Sequence, residues 1–123
     1  MYSELLLDHF RHPRNVGAVE APDAAVEVSN PACGDILQLS VRIENGVIRE
    51  ARYLARGCTA AIACGSALTE WLAGRGSGDL PNLTAASLEN LVGGLPPESR
   101  HAAALGLDAV GALSRALTAR GGN

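Results

Sequence analysis

Lysine is absent from this 123-residue chain, aromatic residues make up only 3% of it, and cysteine occurs three times. An odd number of cysteines argues against a secreted disulfide framework and for reduced thiols, as in a cytoplasmic protein. The formal net charge of −3 argues against nucleic acid as a partner. The N-terminus lacks the apolar segment of a signal peptide, and no apolar run approaches the length of a membrane span. We therefore expect no membrane partner.

Motifs of several common sites are missing as well. Neither C-x-x-C nor H-x-x-x-H occurs, and no catalytic triad, phosphate-binding glycine loop or carboxylate pair is recognisable. We therefore predict that the protein is not an enzyme. The length predicts a single domain over residues 1–123, with a core of leucine, valine, isoleucine and alanine because aromatic residues are so few.

The clearest local structure is a β-hairpin. Residues 36–44 alternate apolar and polar side chains, and Asn45-Gly46 is a strong turn signal since both residues tolerate positive φ. A two-residue turn would set two charged residues of the return strand, Glu50 and Arg52, against the apolar face. We therefore predict a three-residue loop with a bulge at Gly46. The pairs expected from that register are Ile43–Val47, Leu39–Ala51 and Leu37–Tyr53.

Either register brings Cys33 and Cys58 close together at one end of the hairpin. Asp35 lies two residues past Cys33 and so on the same side of an extended segment. Cys58 precedes a predicted helix over 59–73, whose N-terminus would lower the thiol pKa. Two thiols and a carboxylate are one ligand short of a closed tetrahedral site. On spacing alone, a metal site, a disulfide and two small hydrophobic residues all remain open.

The other segments supply scaffolding and a candidate fourth ligand. His101 falls near the N-terminus of the last predicted helix, although a lone histidine there is more often a surface residue than a ligand. Cys64 lies among apolar residues of the helix that follows Cys58 and is predicted to be a small core residue. The further predicted elements are helices over 2–10, 85–91 and 97–119, a first strand over 25–28 and a flexible loop over 74–79.

Four groups of residues resemble one known family. They are 8–17 (DHFRHPRNVG), 30–35 (NPACGD), 57–63 (GCTAAIA) with 69–71 (TEW), and 95–97 (LPP) followed by His101. Through them the chain resembles, over nearly its whole length, the IscU/SufU/NifU N-terminal family of iron–sulfur cluster assembly scaffolds. The resemblance implies an α+β fold, a compact two-layer sandwich in which a three-stranded antiparallel sheet is backed by helices.

The resemblance also implies a function. Family members assemble a [2Fe–2S] cluster from iron and from sulfur that a cysteine desulfurase delivers as a persulfide, and they pass the cluster to apo iron–sulfur proteins. Members also bind zinc at the same site. The residues that match the family ligands are Cys33, Asp35, Cys58 and His101, with Cys33 and Cys58 as the cluster thiolates.

This chain departs from the family pattern at two places. Ala102 stands where the family has a third cysteine, a cluster ligand and in many members the acceptor of sulfur, and alanine can do neither. Glu98-Ser99 replaces the Val-Lys that follows Leu-Pro-Pro in many members and that an Hsp70-type chaperone reads, which argues against that partner. The resemblance also implies that the basic segment around His9 and Arg14 helps to contact the desulfurase, and a solvated turn is an equally good interpretation.

Three functions follow from these residues. The first is a scaffold that binds iron or a [2Fe–2S] cluster through the four ligands, since histidine can replace cysteine on a cluster iron. The second is a zinc-binding relative that regulates or docks to a desulfurase without assembling clusters. The third, and least favoured, is a metal-free interaction module.

Overall fold

The computed structural model describes residues 1–31 and 34–121, the last two of these as backbone only. Four α-helices and three strands follow one another in the order α1, β1, β2, β3, α2, α3, α4. Their bounds are α1 Glu4–Arg11, β1 Ala24–Asn30, β2 Asp35–Glu44, β3 Val47–Arg56, α2 Thr59–Leu72, α3 Ala85–Leu91 and α4 Arg100–Gly121. Two 3₁₀ turns, Ser77–Asn82 and Pro97–Ser99, precede α3 and α4.

The strands form one antiparallel sheet in the order β1-β2-β3, with α2 packed on β3 and α4 packed on β1. The inner face of β2 is apolar because its side chains alternate, and three of its residues are almost completely buried: Leu37, Leu39 and Val41. Small residues of α2, such as Ala60 and Ala63, are equally buried and let the helix approach the sheet closely. The predicted α+β sandwich of a three-stranded sheet and helices is confirmed.

The predicted hairpin register is wrong. Glu44 pairs with Val47 across a two-residue turn, in which Asn45 has φ 54° and Gly46 has φ 76°. A bulge then shifts the register, so that Ile43 pairs with Ile48 and Arg42 with Glu50. The prediction placed a one-residue shift of β3 relative to β2 in the turn, whereas the structure has this shift at the bulge. The bulge therefore keeps Glu50 and Arg52 away from the core-facing side of the sheet. The pairs beyond it are Val41–Ala51, Leu39–Tyr53 and Leu37–Ala55.

The other elements lie close to their predicted positions. Helix α1 begins at Glu4 rather than Tyr2, because the Ser3 hydroxyl caps it by accepting a hydrogen bond from Leu6 N at 3.0 Å. The predicted loop over 74–79 is partly wrong, since a 3₁₀ turn begins within it at Ser77.

By length and composition, the segment Pro97–Ala119 is apolar enough to cross a membrane, which the sequence analysis did not predict. In the fold this segment contributes to the core and packs against β1, α2 and α3. Its buried hydrophobic residues are Ala102, Ala103, Leu105, Ala109, Val110 and Leu113. A core helix passes the same test of length and composition, and this packing is that of a core helix.

Candidate metal centre

Three of the four predicted ligands meet at one end of the sheet. Asp35 begins β2, Cys58 is the N-cap residue of α2, and His101 is the second residue of α4. Cys58 Sγ lies 3.7 Å from Asp35 Oδ2 and 3.6 Å from His101 Nε2, and these last two atoms lie 3.3 Å apart. Three separate elements therefore direct one sulfur, one oxygen and one nitrogen at the same point.

Gly57 makes room for the carboxylate. The Asp35 side chain is only 4% exposed, and a β-carbon at position 57 would overlap its Oδ1 and Cγ atoms. Gly57 also has φ 143°, a conformation that side-chain-bearing residues rarely adopt. Only glycine therefore lets the chain turn from β3 into α2 while Asp35 stays beside Cys58.

Cys58 lies at the N-terminus of α2. As the N-cap residue it accepts, through Sγ, a hydrogen bond from Ala61 N at 3.4 Å. The residue is half-buried. Thiolate is the form of cysteine that binds metals.

The three distances fit a single metal ion. For bonds of ~2.3 Å to sulfur, ~2.05 Å to nitrogen and ~2.1 Å to oxygen, tetrahedral corners lie ~3.6 Å (S to N), ~3.6 Å (S to O) and ~3.4 Å (N to O) apart. The observed separations are 3.6, 3.7 and 3.3 Å. In a [2Fe–2S] cluster each iron takes only two protein ligands, because two sulfides bridge the pair. In this arrangement the three donors therefore suit one tetrahedral ion. To hold a [2Fe–2S] cluster, the same donors would have to be divided between its two iron atoms.

Two nearby residues of the described chain, Cys64 and Ala102, do not add a donor to this group. Cys33 lies outside the described residues. Ala102 is 2% exposed and belongs to the core side of α4. Cys64 is also 2% exposed, and burial raises the pKa of its thiol to about 12, so it stays protonated. The structure thus agrees with the prediction that Cys64 is a core residue.

The N-terminal segment contains a polar cluster that the sequence analysis missed. His9 is not solvated but 4% exposed, and its Nδ1 lies 2.8 Å from Ser66 Oγ and 3.2 Å from Arg14 Nη1. Arg14 can only donate, so Nδ1 accepts and Nε2 carries the proton, 3.6 Å from Glu70 Oε1. Burial, and next the Arg14 charge, lower the pKa of His9. A signal was available, because His9 lies three residues after buried Leu6 on the same face of α1.

Comparison with known proteins decides the family. The model of the NifU-like N terminal domain family matches residues 1–120. The chain belongs to this family. The predicted resemblance is thereby confirmed.

Several relatives of this NifU-like chain carry the name iron–sulfur cluster assembly scaffold protein IscU. That of Aquifex aeolicus is 41% identical over 109 residues, which are 87% of this chain and 69% of the relative. That of Haemophilus influenzae is 40% identical over 89% of both chains, and that of Azotobacter vinelandii is 36% identical over 93% and 91%. These are names of scaffolds, in agreement with the prediction that the chain is not an enzyme.

Solved structures share the fold. A protein described as an iron–sulfur cluster assembly scaffold for the SUF system, from Fervidobacterium islandicum AW-1, has a TM-score of 0.75 at 18% identity. The match covers 92% of this chain and 96% of that one. The N-terminal part of a NifU-like protein from Brucella abortus has a TM-score of 0.62 at 18% identity, over 94% and 83%. At these identities the similarity speaks for the fold alone.

Proposed function

We propose that this chain is an iron–sulfur cluster assembly scaffold that binds iron, or a [2Fe–2S] cluster, for transfer to apo iron–sulfur proteins. The proposed ligands are Cys33, Asp35, Cys58 and His101. The convergence of a carboxylate, a thiol and an imidazole at the end of the sheet carries the proposal. The IscU names of relatives at 36–41% identity support the same function.

Each proposed ligand has a distinct task. Cys58, supported by the α2 dipole, is the soft anionic donor, and Cys33 supplies a second thiolate from a position two residues before Asp35. Asp35 is a harder, weaker donor for iron than a thiolate, which suits a site that must release its cargo. His101 supplies the neutral fourth donor, with a side chain that is 31% exposed and so has room to change partners.

The sulfur source follows from the same function. We propose that a cysteine desulfurase delivers sulfur as a persulfide, and that the chain works in the cytoplasm, where thiols stay reduced. Because Ala102 offers no thiol, any sulfur-accepting group on this chain must be Cys33 or Cys58. The Glu98-Ser99 sequence argues against an Hsp70-type chaperone as a further partner.

The first test is the metal and acid-labile sulfide content per chain, in protein purified without oxygen or chelator. Iron with a comparable amount of sulfide is the expected result. Anaerobic reconstitution with iron and sulfide should then give a brown protein with sulfide-to-iron charge-transfer absorption. A colourless protein that retains neither iron nor sulfide after reconstitution would refute the scaffold function.

A second candidate function is a zinc-binding regulator or partner of a cysteine desulfurase. The agreement of the three donor distances with the edges of one tetrahedron favours it. Zinc without sulfide in the purified protein, together with failure of reconstitution, would establish this function in place of the first. Displacement of that zinc by iron(II), followed by cluster formation, would favour the scaffold.

A further inference from the structure

The candidate metal centre is built across the boundary between the two layers of the fold. Asp35 belongs to the sheet, whereas Cys58 and His101 stand at the N-termini of two helices packed on it. The distances of 3.7 and 3.3 Å from Asp35 to these two residues therefore depend on how closely the helices approach the sheet. Whatever sets that spacing near α2 also sets the geometry of the centre.

One aromatic residue connects the sheet to the first turns of α2. Tyr53, on the inner face of β3, is 2% exposed, and its hydroxyl donates a hydrogen bond to the carbonyl oxygen of Ile62 at 3.0 Å. Burial raises the pKa of Tyr53 to about 12, so the phenol keeps the proton that it donates. Ile62 N in turn donates to the carbonyl oxygen of Cys58 at 3.2 Å. The hydroxyl thus reaches the helical turn that begins at the candidate ligand.

A glycine lets the ring approach so closely. A β-carbon at Gly65 would overlap Cδ2 and Cε2 of Tyr53. Interiors are packed too densely to absorb such an overlap without displacement, and neither partner here is the end of a flexible side chain. The layers are therefore as close at this point as the aromatic ring allows.

We propose that Tyr53 and Gly65 are positioning residues for the metal centre, and that their contact sets the sheet-to-helix spacing at which Cys58 meets Asp35. This inference rests on the proposed metal-binding function. The ring and the glycine determine the distance between the layers, while the hydroxyl prevents α2 from sliding along the sheet. Neither residue touches the metal.

The experiment measures cobalt(II) affinity and the ligand-field and thiolate-to-cobalt charge-transfer bands, at a temperature where every metal-free variant is folded. Gly65→Ala should weaken cobalt binding roughly 10–100-fold, as loss of groups that support metal ligands commonly does. Tyr53→Phe, which keeps the ring, should weaken it by about threefold to tenfold. Both variants should shift the absorption bands, a change that loss of global stability alone does not produce.

Gly111→Ala is the matched control, since a β-carbon there meets only the flexible end of Arg115. Its affinity and spectrum should equal those of the unaltered protein. Gly65→Ala should also cost less affinity in a Tyr53→Leu background, because the overlapping ring atoms are gone. Normal spectra and affinity in both Gly65→Ala and Tyr53→Phe would overturn the inference while leaving the metal site intact. Failure of the unaltered protein to bind cobalt would instead refute the proposed function.

Discussion

Two histidine clusters in this protein have similar components and different roles. His9 hydrogen-bonds with Arg14 and Ser66 through Nδ1, and its Nε2 lies 3.6 Å from Glu70 Oε1. Among the described residues, His101 contacts Asp35 and Cys58 through its Nε2. In the part of the chain that the structure describes, no arginine pairs with either of them. The first cluster contains its own cation and joins α1 to α2, whereas the second brings together three side chains that could hold a metal ion.

The difference shows why residue type alone does not identify a metal site. Each histidine lies beside a carboxylate, His9 beside Glu70 and His101 beside Asp35. By residue type alone, either histidine could be a metal ligand. The Arg14 guanidinium pairs with the carboxylates of Asp8 and Glu70 beside His9. Its hydrogen bond to Asp8 holds the pKa of that carboxyl below its ordinary value. A metal ion at that place would have to displace a fixed positive charge.

Removal of the candidate thiolate should produce the largest effect. Cys58→Ala deletes both a ligand and the group that the α2 N-terminus stabilises, so metal binding should fall by at least about 100-fold. Metal retained per chain after gel filtration measures it. Cys64→Ala is the matched control and should keep its metal, since that thiol is buried in the core. Metal loss in Cys64→Ala would show that our assignment of this residue is wrong.

The next largest effects should distinguish the two histidines, because one substitution should change metal affinity and the other should change stability. His101→Ala should weaken zinc or iron(II) binding roughly 10–100-fold, with little change in stability because the side chain is half-exposed. His9→Ala should lower the free energy of unfolding by about 1–3 kcal/mol through unpaired buried groups, and should leave metal affinity unchanged. Isothermal titration and urea unfolding measure the two quantities. Equal effects of both variants on affinity would remove the distinction between the clusters.

A pH titration of stability sharpens the same comparison. The fold lowers the pKa of His9 from its ordinary value of 6.5, mainly by burial. The unfolded chain therefore binds the proton more readily, so His9 contributes full stability above about pH 6.5 and loses it as the pH falls towards the lowered value. Urea unfolding of metal-free protein between pH 7.5 and about 5 should reveal this loss. His9→Gln should flatten that part of the curve, and an unchanged slope would argue against a neutral, buried His9.

The smallest effect is expected at the position of the missing thiol. Ala102 lies on the core side of α4, so the added sulfur of Ala102→Cys should be buried beside the site rather than bound in it. Zinc affinity should then change by less than about threefold. A new metal ligand would change it by much more. A tenfold or larger gain would show that α4 rotates readily to present residue 102 in place of His101.

Short-range patterns predicted most of the fold. Alternation in β2, the Asn45-Gly46 turn and the apolar spacing of the helices predicted elements close to those observed. The register failed because a bulge depends on the packing of both strands, and no local signal at Arg49 distinguishes it from a slip at the turn. The faces were nevertheless right, since the observed and predicted registers differ by two residues beyond the bulge.

The candidate centre divides in the same way. Residue types and the family resemblance, carried by motifs such as NPACGD and GCTAAIA, predicted Cys33, Asp35, Cys58 and His101 as ligands, because donor chemistry is visible in the sequence. The last three of these lie together in the fold, and Cys33 lies outside the described residues. Their distances of 3.3–3.7 Å, the burial of His9 and Cys64, and the contact of Tyr53 with Gly65 could not be read there. These features arise where residues distant in the chain pack together, and packing depends on the shapes of all the neighbours at once.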